Sequence, residues 1–416
     1  MKFHFFHLMP YPDLPDDFRE RYHGVWVDPP ASELYDPVRG HDVYNEYLDE
    51  LEFADQIGFD GICVNEHHQN AYGLMPSPNL MVAALARRTR KAKLVVMGDS
   101  VALYDPPIRV AEETAMLDVL SGGRLVAGFP VGTPMDTAYC YGQTPATLRE
   151  KYREGVELIL KAWQAPQPFS FNGKYTQLRY VNIWPRPIQK PHPPIWIPGG
   201  GSVETWEWCA SHNFLYAYLS YFGYLRGQYV MDGFWEAVNR VGAEPNPYRA
   251  GFLQFVAVAD NDAEAERLYA EHALYFYNRC LHLYPGFANP PGYTSIATIR
   301  KGIEGQVKMA ADRYKELESL TWSQILERGY VVAGSPETVV DRLTDMETRL
   351  RVGHLMVLLQ FGNMPKQTVE YNATRFIQEV APRLRPTWSD WEDRWWPTDT
   401  LPQLASPAPL QTPVGV

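Results

Sequence analysis

Residues 58–79 read GFDGICVNEHHQNAYGLMPSPN. Ile62, Cys63 and Val64 form a short apolar run introduced by glycine, the pattern of a strand buried on both faces. Asn65, Glu66, His67 and His68 follow without a break. In an α/β protein, polar and imidazole side chains at the point where a buried strand ends face a pocket rather than the core. This stretch is therefore the expected centre of the chemistry.

Working outward, the same grammar recurs on both sides. Residues 2–8 read as a first strand, a polar and Pro-rich loop spans 10–40, and a helix over 42–57 carries Val43, Tyr47, Leu51, Ala54 and Ile57 at helical spacing before Gly58 stops it. Downstream, Ser77 and Pro78 open a helix, 94–97 is a strand ending at Gly98-Asp99-Ser100, and Asp105-Pro106 lead a helix closed by Gly122-Gly123. RLVAGF (124–129) is a fourth strand, Thr144-Pro145 start a long helix to Trp163, and 171–182 form a surface hairpin turning at Asn172-Gly173. Further strands are expected at 195–197, 214–219, 252–258 and 354–360, the last preceded by a helix start at Ser335-Pro336-Glu337. About eight strands, each followed by a helix pattern, predict a (β/α)8 TIM barrel over 1–382, with a doubly wound sheet as the competitor. Residues about 260–330 are too long for one connection and read as an insertion or lid over the mouth. The tail, 383–416, is rich in Trp and Pro and reads as an extended end. Trp388, Trp391, Trp395 and Trp396 are costly to leave in water and are expected to dock on the same chain or a second subunit.

Composition narrows the partners. The chain has 416 residues, 45% hydrophobic and 21% charged, with a formal net charge of -11, so nucleic acid and anionic membranes would be repelled. No signal peptide or apolar span stands out, so a cytoplasmic protein is expected, as a homodimer or higher homo-oligomer. Cys63, Cys140, Cys209 and Cys280 lack CxxC spacing and read as buried thiols rather than a zinc site or a disulfide framework.

Two constellations carry chemistry. In the first, His67 can move a proton near neutral pH and Glu66 can orient it or accept hydrogen bonds from a ligand ring, while His68 reads equally as a satisfied loop residue. Adjacent residues point to opposite faces, so the four do not converge on one metal ion. In the second, Gly199-Gly200-Gly201-Ser202 ends a strand and opens a helix, which bares backbone amides to an anion or merely turns the chain. Gly98-Asp99-Ser100 lets a flat ring approach the backbone or is likewise only a turn. No GxGxxG fingerprint, GxSxG elbow or Walker loop is present.

Together with LYDPPIRVAEETAMLDVLSGGRLVAGFPVGTPMD (103–136), HPPIWIPGGGSVETW (192–206) and VVAGSPETVVDRL (331–343), the opening stretch resembles the bacterial luciferase-like, flavin-dependent monooxygenase superfamily, over residues 2 to about 382. The resemblance implies a TIM barrel that binds FMN, as reduced FMNH2, at the carboxyl ends of its strands, with reduced flavin supplied by a separate reductase. It implies that O2 forms a C4a-hydroperoxide that oxygenates a small organic substrate. Position by position, Glu66 matches the acid near the flavin ring and His67 the catalytic histidine, with Asn65 beside them as a cofactor contact. Gly98, Asp99 and Ser100 match a segment, often with a non-proline cis peptide, that packs on the ring, and Gly200, Gly201 and Ser202 fall where the family holds the phosphate. Val131 stands where some members carry an Arg. Trp26, Tyr72, Tyr275 and Phe276 are expected to wall the substrate pocket. An F420-dependent dehydrogenase on the same barrel, a flavin-binding protein without turnover and a metal-dependent barrel hydrolase are the competing functions.

Overall fold

A computed structural model of the chain describes residues 1–304 and 316–398. Its strands are β1 (Lys2–Phe6), β2 (Gly61–Val64), β3 (Lys93–Val96), β4 (Leu125–Gly128), β5 (Phe169–Asn172), β6 (Gln177–Val181), β7 (Ile195–Gly199), β8 (Leu215–Tyr218), β9 (Ala250–Val258), β10 (Val331–Gly334) and β11 (His354–Leu358). Eight of them, in the order β1-β2-β3-β4-β7-β8-β9-β11, pair in parallel and close back on β1. This is the expected TIM barrel. β2, β3 and β4 are buried along their whole length because side chains fill the barrel on one face and helices cover the other.

The elements start where local chemistry places them, with some shifts. The helix Pro37–Ile57 begins earlier than its apolar pattern does, because Pro37 takes the first helical position and the Asp36 side chain accepts from the Val38 amide. The expected 10–40 loop accordingly ends sooner and contains short helical turns at Phe18–Arg21 and Ala31–Leu34. Gly58, at φ 102°, ends the helix in the left-handed conformation that glycine adopts without strain. The sequence reading missed β10, a short run that pairs only with the far half of the long β9, Val331 opposite Phe255 and Gly334 opposite Val258.

After β9 the chain runs through the helix Asp262–Tyr275, a wider turn at Phe276–Cys280 and the helix Ile296–Glu304. The Tyr275 hydroxyl meets Tyr11 O and the Leu14 amide, the Tyr277 hydroxyl donates to Tyr221 O, and the Tyr293 hydroxyl donates to Gly132 O. The insertion thus lies across the strand ends at the mouth. Its residues 305–315 lie outside the described residues.

At the opposite end, where the strands begin, the tail closes the barrel. Trp196 Nε1 donates to Trp395 O at 3.0 Å, Trp395 Nε1 donates to Asn213 O at 2.9 Å, and the Trp396 ring packs against His4, His354 and Trp196. The tryptophans dock on their own chain. Residues 399–416, read above as part of an extended end, lie outside the described residues. Among the described residues no helix is long and apolar enough to cross a membrane.

Candidate functional site

The polar residues after β2 form a bonded group with the segments after β3 and β4. Glu66 is buried and takes three donors: the Ser100 amide on Oε2 at 2.5 Å, the Tyr104 hydroxyl on Oε1 at 3.0 Å and His68 Nε2 on Oε1 at 3.1 Å. It ties the end of β2 to the start of the connection after β3. In that connection the Met97–Gly98 peptide is cis. Gly98 has no alternative there, since a Cβ would sit 1.9 Å from Gly128 O. Asp99 is buried beside it, accepting from Asn79 Nδ2 at 3.0 Å. Burial first, then the Glu66 and Glu113 carboxylates, push the Asp99 carboxyl well above the usual range.

His67 turns the other way. Its Nδ1 donates to Asp136 Oδ2 at 2.8 Å, while Asp136 also accepts from Trp26 Nε1, the His68 amide and the Thr133 hydroxyl, each at 2.9 Å. Asp136 is carried on a π-helical turn, Met135–Cys140, that follows β4, and Thr133 stands just before it. Burial alone would raise the Asp136 carboxyl; the His67 ring and the donors from His67, the His68 amide and Trp26 outweigh it and hold the carboxyl below its ordinary value. No described residue hydrogen-bonds His67 Nε2. Around the imidazole, Tyr72 lies 4.8 Å away edge-on and Trp26 5.7 Å away, with Phe276 from the insertion 6.4 Å beyond Tyr72. Tyr275, expected in the same wall, instead uses its hydroxyl to pin the mouth loop.

Asn65 donates from Nδ2 to His7 O at 3.2 Å, and its buried Oδ1 has no partner. A buried acceptor left open costs about 1–3 kcal/mol, so it suits a ligand donor. His68, left open above, is satisfied: Nε2 serves Glu66 and Nδ1 accepts from the Tyr141 hydroxyl at 3.3 Å. The imidazoles are thus partnered by carboxylates and a phenol.

The glycine turn after β7 forms a separate group. Gly200 has nothing within 4 Å of where a Cβ would be, and Gly201 has a φ of +102°. Ser202 precedes the helix Val203–His212 but does not cap it; its hydroxyl donates to Glu204 Oε2 at 2.8 Å. Glu204 also takes the hydroxyls of Ser295 and Thr298 from the insertion, and the Val203 amide is used by Thr298 Oγ1 at 3.2 Å. A cation stands close by: Arg149 donates to Thr205 Oγ1 at 3.1 Å. It offers a positive charge near the turn, which Val131 cannot. Asp136, Tyr104, Arg149 and Glu204 all escaped the sequence reading. Asp136 had one signal, an acid just after a Gly-rich strand end; the other three sit in helical or loop contexts with none.

Comparison with known proteins identifies the family. Residues 23–351 match the family described as luciferase-like monooxygenase. The chain is 32% identical over 162 residues to the oxygenase component of a flavin-dependent trigonelline monooxygenase of Acinetobacter baylyi, covering 37% of this chain and 43% of that one. Over 160 residues it is 28% identical to an F420-dependent glucose-6-phosphate dehydrogenase of Amycolatopsis mediterranei, covering 36% and 46%. In structure it superposes on the oxygenating constituent of 3,6-diketocamphane monooxygenase from Pseudomonas putida, a type II Baeyer-Villiger monooxygenase in complex with FMN, with a TM-score of 0.68 at 20% identity, over 92% of this chain and 98% of that one. With the family match spanning most of its length, the chain is an oxidoreductase that belongs to the luciferase-like monooxygenases.

Proposed function

We propose that this protein is the oxygenase component of a two-component system, using reduced FMN and O2 to oxygenate a small organic substrate, with a separate reductase supplying the flavin. The observation that carries the reading is the joined group at the strand ends: Glu66 fastened to the Ser100 amide, Gly98 pressed against Gly128 beside it, and His67 lodged among aromatic rings. The residues present fit a flavin: an open buried acceptor on Asn65, a Cβ-free approach at Gly98, and an uncrowded Gly200 near the Arg149 guanidinium. When bound, reduced flavin supplies the electrons that activate O2.

The chain's own residues then have defined tasks. Gly98, Asp99 and Ser100 hold the ring, Glu66 keeps that segment in place, and Gly200, Gly201 and Ser202 receive the phosphate. Trp26, Tyr72 and Phe276 keep water from His67, whose side chain is 12% exposed. His67 exchanges a proton with the ligand at Nε2. The aromatic lining suits a substrate that is largely apolar. Met116, Val119 and Leu120, exposed near the end of the helix Ile108–Ser121, offer an apolar patch for a homo-oligomer. A second reading, hydride transfer with F420, is favoured by the 28% identity to a dehydrogenase of that type.

The test is oxygen labelling. The protein, an unrelated flavin reductase, NADH, FMN and a panel of small ketones and aromatics are incubated under 18O2. Incorporation of one label into a product, abolished in His67→Ala, is the expected result. Label from water alone, or full turnover in His67→Ala, contradicts the reading.

A further inference from the structure

We infer that Asp136 is the residue that positions His67, fixing which ring nitrogen carries the proton and so making Nε2 the one that reacts. This rests on the proton role proposed for His67, and the experiment below separates the two. Neutral imidazole has one N–H, and the hydrogen bond made by one nitrogen decides the state of the other. An ionised carboxylate can only accept, so its 2.8 Å contact requires the proton on Nδ1 and leaves a lone pair on Nε2. No described residue satisfies that lone pair.

Asp136 is built to stay ionised and to stay still. It is 2% exposed, and three further donors hold it from three parts of the chain: Trp26 in the mouth loop, the His68 amide after β2, and Thr133 just before its own turn. Two donors fall on Oδ1 and two on Oδ2, so the carboxylate cannot rotate without losing bonds. The same anchoring holds the carboxyl below its ordinary value despite burial. A proton taken from a ligand O–H or N–H therefore lands on Nε2 and leaves from Nε2, while Nδ1 keeps its own and Asp136 remains a carboxylate. Hydrogen bonding of this kind to a carboxylate also sets the plane of the ring.

The experiment needs no flavin. In protein labelled with 15N-histidine, the ring nitrogens of His67, assigned by their absence in His67→Gln, report the tautomer directly. The wild type is expected to show the proton on Nδ1. In Asp136→Asn the side-chain amide donates instead, so the proton should move to Nε2, and Asp136→Glu should return it to Nδ1. Wild-type His67 protonated on Nε2, or Asp136→Asn still protonated on Nδ1, overturns the inference; the wild-type spectrum alone decides should Asp136→Asn not fold. Thr133→Val, which keeps the His67 contact, should leave the tautomer unchanged. In turnover with reduced FMN, Asp136→Asn should lose roughly 10²–10⁴-fold in kcat with the flavin Kd within about twofold. A tautomer change with turnover intact would uphold the placement of Asp136 and refute the proton role of His67.

Discussion

Glu204 puts a carboxylate among donors that would otherwise suit a phosphate. It stands in the first turn of the helix Val203–His212, where the positive end of the helix favours an anion, and it already holds the hydroxyls of Ser202, Ser295 and Thr298. Although burial would raise it, these hydrogen bonds keep its carboxyl below the ordinary value. A phosphate at Gly200 and Gly201 must displace hydroxyls from Glu204 or tolerate its charge. Removing that charge in Glu204→Gln should tighten FMN by about fivefold, on the order of 1 kcal/mol once its partial exposure is allowed for, and leave riboflavin unchanged. Flavin-fluorescence quenching measures both; equal effects on the two flavins would place the phosphate elsewhere. At this scale the sequence was informative where side-chain type and strand end coincide. Asn65, Glu66 and His67 follow an apolar run, and the structure brings Glu66 to the segment after β3, His67 to the turn after β4 and Asn65 to His7 after β1. Asp136 lies far along the chain from His67, marked only as an acid just after a Gly-rich strand end, and only folding joins them. Glu204 reads in sequence as an ordinary acid in a first helical turn; the Ser295 and Thr298 contacts that give it a role come from the insertion.

The tail is the element whose placement depends on the fewest local signals. Trp395 and Trp396 close the base of the barrel over a buried pair, His4 and His354, whose Nε2 and Nδ1 lie 3.1 Å apart. Burial, then His354, Lys2 and Arg385, lower His4 well below its ordinary value; Asp393, on the tail, lies 3.4 Å from His354 and 3.9 Å from Lys2. The unfolded chain protonates His4 below about pH 6.5 and the folded chain does not, so stability is lost as pH falls below that value, on the order of 1 kcal/mol per pH unit. Urea midpoints at pH 7.5 and 5.5 should differ in the wild type, and the difference should shrink in His4→Gln. An identical pH dependence in both proteins would show that His4 is not the group held neutral. Strands and helices were legible where an apolar run stops at glycine, as at Gly98 and Gly199, or a helix opens on a recognisable start, as at Ser335-Pro336, whereas the start at Asp36-Pro37 was hidden because the apolar pattern begins only further along. β10 was not, since VVAG differs in nothing from a helix approach until β9 is long enough to pair with it. The tryptophan spacing in the tail called for burial without saying against what.

At the scale of the whole molecule, the barrel separates two jobs. The tail seals the end where strands begin, and the mouth loop, the insertion and the turn after β4 meet over the end where they finish, through Tyr275 on Leu14 and Tyr293 on Gly132. Chemistry that must exclude water is placed where three connections converge. The fold was readable from the alternation of elements, whereas the substrate was not: the aromatic cluster beside His67 joins rings as distant in sequence as Trp26, Tyr72, Tyr221 and Phe276, and ring type alone names no ligand. Which cofactor enters decides between oxygenation and hydride transfer. The most direct measurement is an anaerobic titration of the purified protein with reduced FMN and, separately, with F420, followed by admission of air while the absorbance of oxidised flavin is recorded. Binding of reduced FMN near one per chain, with oxidised flavin appearing more slowly than from free reduced FMN, is the predicted result. Binding of F420 with no binding of FMN in either state would contradict the oxygenase and assign the barrel to hydride transfer.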